Sequence, residues 1–197
     1  MSNIYLVRHG ITPANKENRF AGRTGEELHP EGIVQVRKVG ERLCDTNIAA
    51  IYCGPAKRTI QSAEILGSLL NVPFSTIAEF DEILLPHWEG LTKDEIRQKY
   101  DEEYPTWINA PQTFHIPGCE TLKQVQKRAV AGLVHLLRHH MQKSQDLLIV
   151  SHLIVLRCLV LYYQGLEIGD FRSVQIGNGA IIRLSAENGG GLRVSAM

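Results

Sequence analysis

Two histidines in this chain each follow directly on a short apolar run, and this arrangement restricts the fold more than any other feature. Asn3-Ile4-Tyr5-Leu6-Val7 runs into Arg8-His9-Gly10, and Asp146-Leu147-Leu148-Ile149-Val150 runs into Ser151-His152. Short runs rich in Leu, Ile and Val, bounded by polar or glycine positions, read as central strands of a parallel sheet. Open α/β sheets bind ligands just beyond the carboxyl ends of such strands. Both imidazoles, with Arg8 beside the first, are therefore expected to meet at one place.

The rest of the chain supplies the other layers. Residues 11–30 read as a long loop. Pro30-Glu31-Gly32 opens a helix with Ile33, Val36, Val39 and Leu43 at helical spacing. Ile48 to Cys53 reads as a strand that Gly54-Pro55 breaks, and a helix follows from about Ala56 to Leu70. Val72 to Ile77 is a weaker strand, Ala180 to Leu184 another, and Leu192 to Ser195 an edge strand. A helix from about Glu120 to Gln142 carries Val125, Ala129, Leu133, Leu136 and Leu137 on one stripe. The expectation is a three-layer α/β/α sandwich with a mostly parallel sheet, in a single domain spanning 1–197.

Segment 86–119 stands apart. It holds both tryptophans, Trp88 and Trp107, with Tyr100, Tyr104, Phe114 and four prolines. Two readings carry equal weight: a helical insertion that covers the site, or a helical connection whose aromatics fill the core.

Composition excludes several function classes. Lys and Arg total 21 and Asp and Glu total 21, so no basic stripe points to nucleic acid or an anionic membrane. Anion recognition would have to come from a local cluster of arginines. Cys44, Cys53, Cys119 and Cys158 form no Cys-x-x-Cys pair and no zinc-type spacing, which reads as free thiols in a reducing cytoplasm. The chain opens straight into a strand, without a signal-peptide layout. Leu153 to Tyr163 is short and carries Arg157, so it reads as a core helix and not a membrane span. His29, His87, His115, His135, His139 and His140 show no metal-like layout, and neither a metal nor a cofactor is expected.

Arg8-His9-Gly10 pairs a guanidinium fork for phosphate with a nitrogen nucleophile, and the glycine lets the backbone turn tightly. Its structural alternative is a satisfied strand-end histidine beside a surface arginine. Arg58 lies on the first turn of a helix, where free amides and the macrodipole favour anions. His152 repeats the strand-then-histidine pattern, with the Leu153 amide close behind. A carboxyl group near a phosphate dianion is pushed towards its protonated form and can then protonate a leaving alkoxide. From the residues alone Asp81, Glu82 and Glu89 are equal candidates for that acid.

The ordered set of segments resembles the histidine phosphatase superfamily, in the branch that includes cofactor-dependent phosphoglycerate mutases and small phosphatases. The segments are Leu6-Val7-Arg8-His9-Gly10-Ile11-Thr12 with Asn15, Phe20-Ala21-Gly22, Leu28 to Gly32, Arg58-Thr59, Glu82-Ile83, Trp88-Glu89-Gly90-Leu91-Thr92, Gly118-Cys119-Glu120-Thr121, and Val150-Ser151-His152. The resemblance implies a phosphoglycerate mutase-like fold. It implies His9 as the nucleophile that takes up the phosphoryl group, Arg8, Arg58 and His152 as phosphate-binding groups, and Glu82 as the acid. Thr12, Asn15, Gly22, Arg23 and Leu153 become candidate substrate contacts. Three positions depart from the pattern: Leu153 and Pro86 where glycine is usual, and Ala14 where tryptophan is frequent.

The expected activity is metal-independent hydrolysis of a small-metabolite phosphomonoester through phosphohistidine. A phosphoglycerate mutase is the alternative. It is disfavoured because the chain ends soon after its last strand signal, with Gly189-Gly190-Gly191 just before it, where mutases of this branch carry a longer tail. A catalytically silent phosphate-binding module is the second alternative. The segment Leu84 to Gly118 is similar to phosphoserine, α-ribazole and sugar-acid phosphate phosphatases. Leu85 stands where the phosphoserine type often has histidine. Arg19 or Arg23 could meet a substrate carboxylate. The expected partner is a small phosphorylated metabolite, and a homodimer is left open.

Overall fold

The computed structural model describes residues 3–140, 145–186 and 192–197. Among these residues six strands form one mixed sheet: β1 (Asn3–Arg8), β2 (Ile48–Cys53), β3 (Phe74–Thr76), β4 (Asp146–Ser151), β5 (Ile181–Ala186) and β6 (Leu192–Ala196). Their order is β3-β2-β4-β1-β5-β6. The first four strands in that order pair in parallel, whereas β5 runs antiparallel to β1 and β6 antiparallel to β5. Seven α-helices accompany them: α1 (Pro13–Lys16), α2 (Pro30–Leu43), α3 (Lys57–Leu70), α4 (Lys93–Lys99), α5 (Glu103–Asn109), α6 (Leu122–His140) and α7 (Leu153–Gln164).

The period-2 alternation of the strands explains the layers. Ile4, Leu6, Leu147 and Ile149 face a core built with α6 and α7, while Tyr5, Val7, Leu148 and Val150 face a core built with α2 and α3. Both faces of β1 and β4 are thus covered, which is why their sequences read as continuous apolar runs. Among the described residues, no helix is long and apolar enough to cross a membrane.

The strand expected over Val72–Ile77 is shorter. Asn71 ends α3 in the left-handed region at φ 54°. The Val72 N–H then closes the helix on the Gly67 carbonyl, and Pro73 has no N–H to donate. Only Phe74–Thr76 is left for the sheet. The helix expected from Glu120 begins at Leu122, because the Thr121 hydroxyl accepts from Gln124 N at 3.3 Å. Its expected last residues, 141–142, lie outside the described residues, as does the triple glycine at 189–191.

Segment 86–119 resolves mainly as core. Trp88, Tyr104, Trp107 and Phe114 are buried in the α6–α7 cluster, with Trp88–Phe114 and Trp107–Phe114 ring centroids 5.3 and 5.2 Å apart. Of the whole segment, Lys93 alone lines the pocket described below. On that side the lining is the stretch from Asn15, in α1, to Gly22. It is held to segment 90–93 by Phe20 N to Leu91 O at 2.8 Å and Lys93 N to Asn18 O at 3.1 Å.

Trp88 is 1% exposed and touches Phe20, His87, Tyr104, Trp107 and Phe114. Trp88→Ala is expected to cost about 3–5 kcal/mol, the usual range for emptying an aromatic core position. Urea unfolding of the two proteins measures it, and a loss under about 1 kcal/mol would return these aromatics to a surface role.

Candidate active site

The site forms where β1 and β4 end. Their register pairs Val7 with Val150 and Arg8 with Ser151, so the next residues, His9 and His152, come out side by side. Their ring centroids are 5.3 Å apart at an interplanar angle of 62°. His9 is 4% exposed and His152 fully buried.

Arg58 arrives from the second position of α3, 1% exposed. Its Nη2 donates to the Gly22 carbonyl at 2.6 Å and to His152 Nδ1 at 3.1 Å. Gly22 sits at φ +54°, and a Cβ there would collide with Glu89. The close approach of the 15–22 loop therefore needs glycine. Arg8 spends Nη1 on the Ile176 carbonyl at 2.8 Å. Arg8 Nε, Arg58 Nε and His152 Nε2 are buried without a hydrogen-bond partner. Neither α3 nor α7 has a side-chain N-cap, so the first amides of both helices are left for an anion.

Hydrogen bonds assign the protons on both rings. His9 Nδ1 lies 2.8 Å from the Gly10 carbonyl, which can only accept. Nδ1 therefore carries the hydrogen, and Nε2 keeps its lone pair. A guanidinium can only donate, so His152 Nδ1 accepts from Arg58 and the ring hydrogen sits on Nε2.

Charges follow from burial. Burial first, then the Arg58 and Arg8 cations, hold His9 well below the ordinary histidine range. His152 is lowered likewise by burial, Arg58 and His9. Burial brings Arg8 down to about 10 against the opposing pull of Glu82, which leaves it cationic at neutral pH.

Glu82 is buried with Oε2 3.9 Å from His152 Nδ1, and Oε1 accepts from Ile83 N at 2.8 Å. Burial pushes its carboxyl up, past the opposite pull of the Ile83 N–H and the Arg58, Arg128 and Arg8 charges. A neutral nucleophilic nitrogen, fixed cations and a protonatable carboxyl thus share one cavity of about 290 Å³.

That cavity is lined by Arg8, His9, Asn15, Arg19, Gly22, Arg58, Glu82 and Leu153 among the residues expected from sequence. His152 packs behind the wall and reaches it through Arg58 and the His9 ring. Of the three acid candidates Glu82 is the one in the lining. Asp81 pairs with Arg23 at 3.2 Å, and Glu89 accepts from Arg23 N at 2.7 Å.

Two expected contacts are not brought to the cavity. Thr12 is fully buried and its hydroxyl caps α1 by accepting from Asn15 N. The Arg23 guanidinium is held by Asp81, Glu120 and the Glu82 carbonyl.

Lys93, Asn18, Phe20 and Asn178 also line the cavity. Asn178 Nδ2 donates to the His9 carbonyl at 3.1 Å and to Asn15 Oδ1 at 2.9 Å, which leaves the Asn15 amide hydrogens for a ligand. The sequence signal for Asn178 was its place just before a strand. Because β5 is antiparallel, its amino end reaches the carboxyl end of β1.

The fold and this cavity define an α/β protein that gathers two arginines and a neutral imidazole beyond the ends of its central strands. The family model for the histidine phosphatase superfamily (branch 1) matches residues 4–196, and the chain belongs to that superfamily. Among solved structures, a Bacillus stearothermophilus protein titled YhfR matches with a TM-score of 0.93 at 28% identity, covering 100% of this chain and 96% of that one. "Phosphoserine phosphatase 1" of Hydrogenobacter thermophilus is 26% identical over 88% of this chain and 81% of its own length. "Probable phosphoglycerate mutase GpmB" of Salmonella choleraesuis is 29% identical over 93% and 85% respectively.

Both buried imidazoles make stability pH-dependent. Below the ordinary histidine value of 6.5 the unfolded chain binds protons that the folded His9 and His152 refuse, so stability falls as pH falls. Each histidine adds a slope of up to about 1.4 kcal/mol per pH unit, and the raised Glu82 opposes it at the acid end. Urea midpoints measured from pH 7.5 to 5.5 are expected to fall less steeply in His152→Asn than in the parent. Parallel curves would refute the neutral state of His152.

Proposed function

We propose that the chain is a metal-independent phosphatase that hydrolyses small phosphomonoesters through a phosphohistidine on His9. The observation that carries this reading is the His9 tautomer. The Gly10 carbonyl ties up Nδ1–H, and burial with the Arg58 and Arg8 cations keeps the ring neutral, so Nε2 is a free nucleophile at neutral pH.

The reaction runs in two displacements. The Nε2 lone pair forms a bond to phosphorus as the ester P–O bond breaks, and the Glu82 proton goes to the departing oxygen. Water then attacks the phosphohistidine, the P–N bond breaks, and Glu82 takes the water's proton back as inorganic phosphate leaves. Arg8 and Arg58 bear the equatorial charge throughout, and Asn15 adds a neutral donor. A loose phosphoryl-transfer transition state asks mainly for positioning and positive donors, which these side chains supply without a metal.

Lys93 on the cavity wall is a cation suited to a substrate carboxylate, and its only side-chain partner among the described residues is Asn18 at 3.5 Å. Arg19 is less suited, because Glu17, Glu95 and the Gly90 carbonyl already hold it. A phosphorylated small acid is therefore the substrate class favoured. That agrees with the name of the Hydrogenobacter relative, a phosphoserine phosphatase.

The mutase reading has one observation in its favour, the likeness to the Salmonella protein. Incubation with 3-phosphoglycerate separates the two, since a phosphatase releases phosphate and a mutase returns the isomer.

Phosphate release from p-nitrophenyl phosphate should persist in EDTA and fall by about a thousandfold or more in His9→Ala, and acid-quenched enzyme should carry an acid-labile phosphate on His9. Activity lost to chelation and restored by a divalent ion would overturn the metal-independent reading. No turnover on any phosphomonoester would leave a silent binding module.

A further inference from the structure

Glu82 sits in a stretch of backbone that no strand supports. It follows a 3-10 turn at Ala78–Phe80 and runs through Leu84 to a second such turn at Pro86–Trp88. Buried backbone outside regular structure must find its partners elsewhere. Glu82 N and Ile83 N turn to the Asp81 and Glu82 carboxylates, whereas three carbonyls and the Leu84 N–H are held by one guanidinium and its carboxylate.

Arg128 on α6 donates Nη1 to the Glu79 and Asp81 carbonyls, 2.7 Å each, and Nη2 to the Glu82 carbonyl at 3.1 Å. Glu120 aligns that guanidinium by accepting from Arg128 Nε at 2.8 Å and Nη2 at 3.1 Å. It also accepts from Leu84 N at 2.9 Å, while Glu120 N donates back to the Leu84 carbonyl at 3.0 Å. Arg23 closes the ring, from Nε to the Glu82 carbonyl and Nη2 to Glu120 Oε2, both 2.8 Å. The Phe80 carbonyl is taken by Ser151 Oγ at 2.8 Å, from the residue before His152. One turn along α6, a Cβ on Gly132 would lie 2.8 Å from the Glu79 Cβ, so the helix seats directly on this segment.

An ordinary surface ion pair contributes little and has no need of such aim. Arg128 and Glu120 are each 19% exposed, and they grip the backbone on both flanks of a single residue. The burial cost of Glu120 is outweighed by Arg128, Leu84 N and Arg23, which together hold its carboxyl below the ordinary range, so the pair stays charged.

We propose that Arg128, aligned by Glu120, is a positioning residue for Glu82: it fixes the acid's backbone so that the carboxyl group meets the leaving oxygen. This rests on Glu82 being the acid of the proposed phosphatase. Arg128 does not line the cavity. Its hydrogen bonds bear on the chemistry through the Glu82 backbone, where misplacement of about 1 Å can cost on the order of a hundredfold.

The test is leaving-group dependence. p-Nitrophenolate departs without a proton, whereas an alkyl alkoxide needs one. kcat and KM are measured on O-phosphoserine and p-nitrophenyl phosphate for Arg128→Ala, Arg128→Lys, Glu120→Gln and Glu82→Gln. Arg128→Ala is expected to lose roughly 30–100-fold in kcat/KM, which reports the transfer to His9, on O-phosphoserine and less than about threefold on p-nitrophenyl phosphate; the later hydrolysis of phosphohistidine, where Glu82 acts again, is common to both substrates.

Arg128→Lys keeps the charge but cannot span three carbonyls and a carboxylate, so it should reproduce the selective loss. In a Glu82→Gln background Arg128→Ala should add less than about twofold on O-phosphoserine. Glu120→Gln supplies the same readout should Arg128→Ala fail to fold. Equal losses on both substrates, full activity in Arg128→Lys, or additive losses in the double variant would overturn the proposal. Selective loss in Glu82→Gln but not in the Arg128 and Glu120 variants overturns the positioning role alone. Equal loss in Glu82→Gln overturns the acid assignment, and the positioning role with it.

Discussion

The register of one parallel strand pair organises this protein. Pairing Val7 with Val150 and Arg8 with Ser151 obliges the two following residues to emerge together. A slip of one residue would turn every side chain of a strand to the opposite face and misplace its core residues. The slip is prevented by burial on both faces, since Leu6 and Ile149 serve one core while Val7 and Val150 serve the other. The meeting of the two histidines and the core packing therefore rest on the same constraint. The 5.3 Å separation of the histidine rings follows from the hydrophobic pattern of the strands.

Around that pair the protein maintains an electrostatic imbalance. Two guanidinium groups face two neutral imidazoles, and buried Nε atoms of Arg8, Arg58 and His152 have no partner. Buried donors without acceptors are costly in an ordinary core. In the proposed reaction the two guanidinium groups would be desolvated in advance of a phosphate dianion. Glu82 is the counterpart. Burial raises it towards the protonated form, while the same arginines restrain the shift.

Segment 86–119 shows how a single pattern can serve two ends. Its aromatic side chains gather around Trp88 as an annex to the α6–α7 core. One edge of the segment pairs with the loop at 18–20, and this carries Lys93 to the cavity. The same packing supports the carboxylate: Glu120, at the end of the segment's return, reaches the backbone beside Glu82. Lys93 on the cavity wall and the support of the Glu82 backbone thus lie on opposite borders of one packed block.

The sequence by itself determined the sheet's central strands, the layers, and the meeting of Arg8, His9, Arg58 and His152. Strand and helix patterns are local, and the carboxyl end of a strand has only one side. It also carried the family resemblance that singled out Glu82 from Asp81 and Glu89. Tertiary structure alone decided the rest. The antiparallel course of β5 brought Asn178 to His9. The pairing of Arg23 with Asp81 and Glu120 took it out of the cavity, and the cap on α1 took Thr12 out. The clamp of Arg128 on the acid's backbone joins residues from three separate segments. No periodicity reports these, because long polar side chains choose partners by proximity in space, and that proximity exists only once the hydrophobic layers have closed.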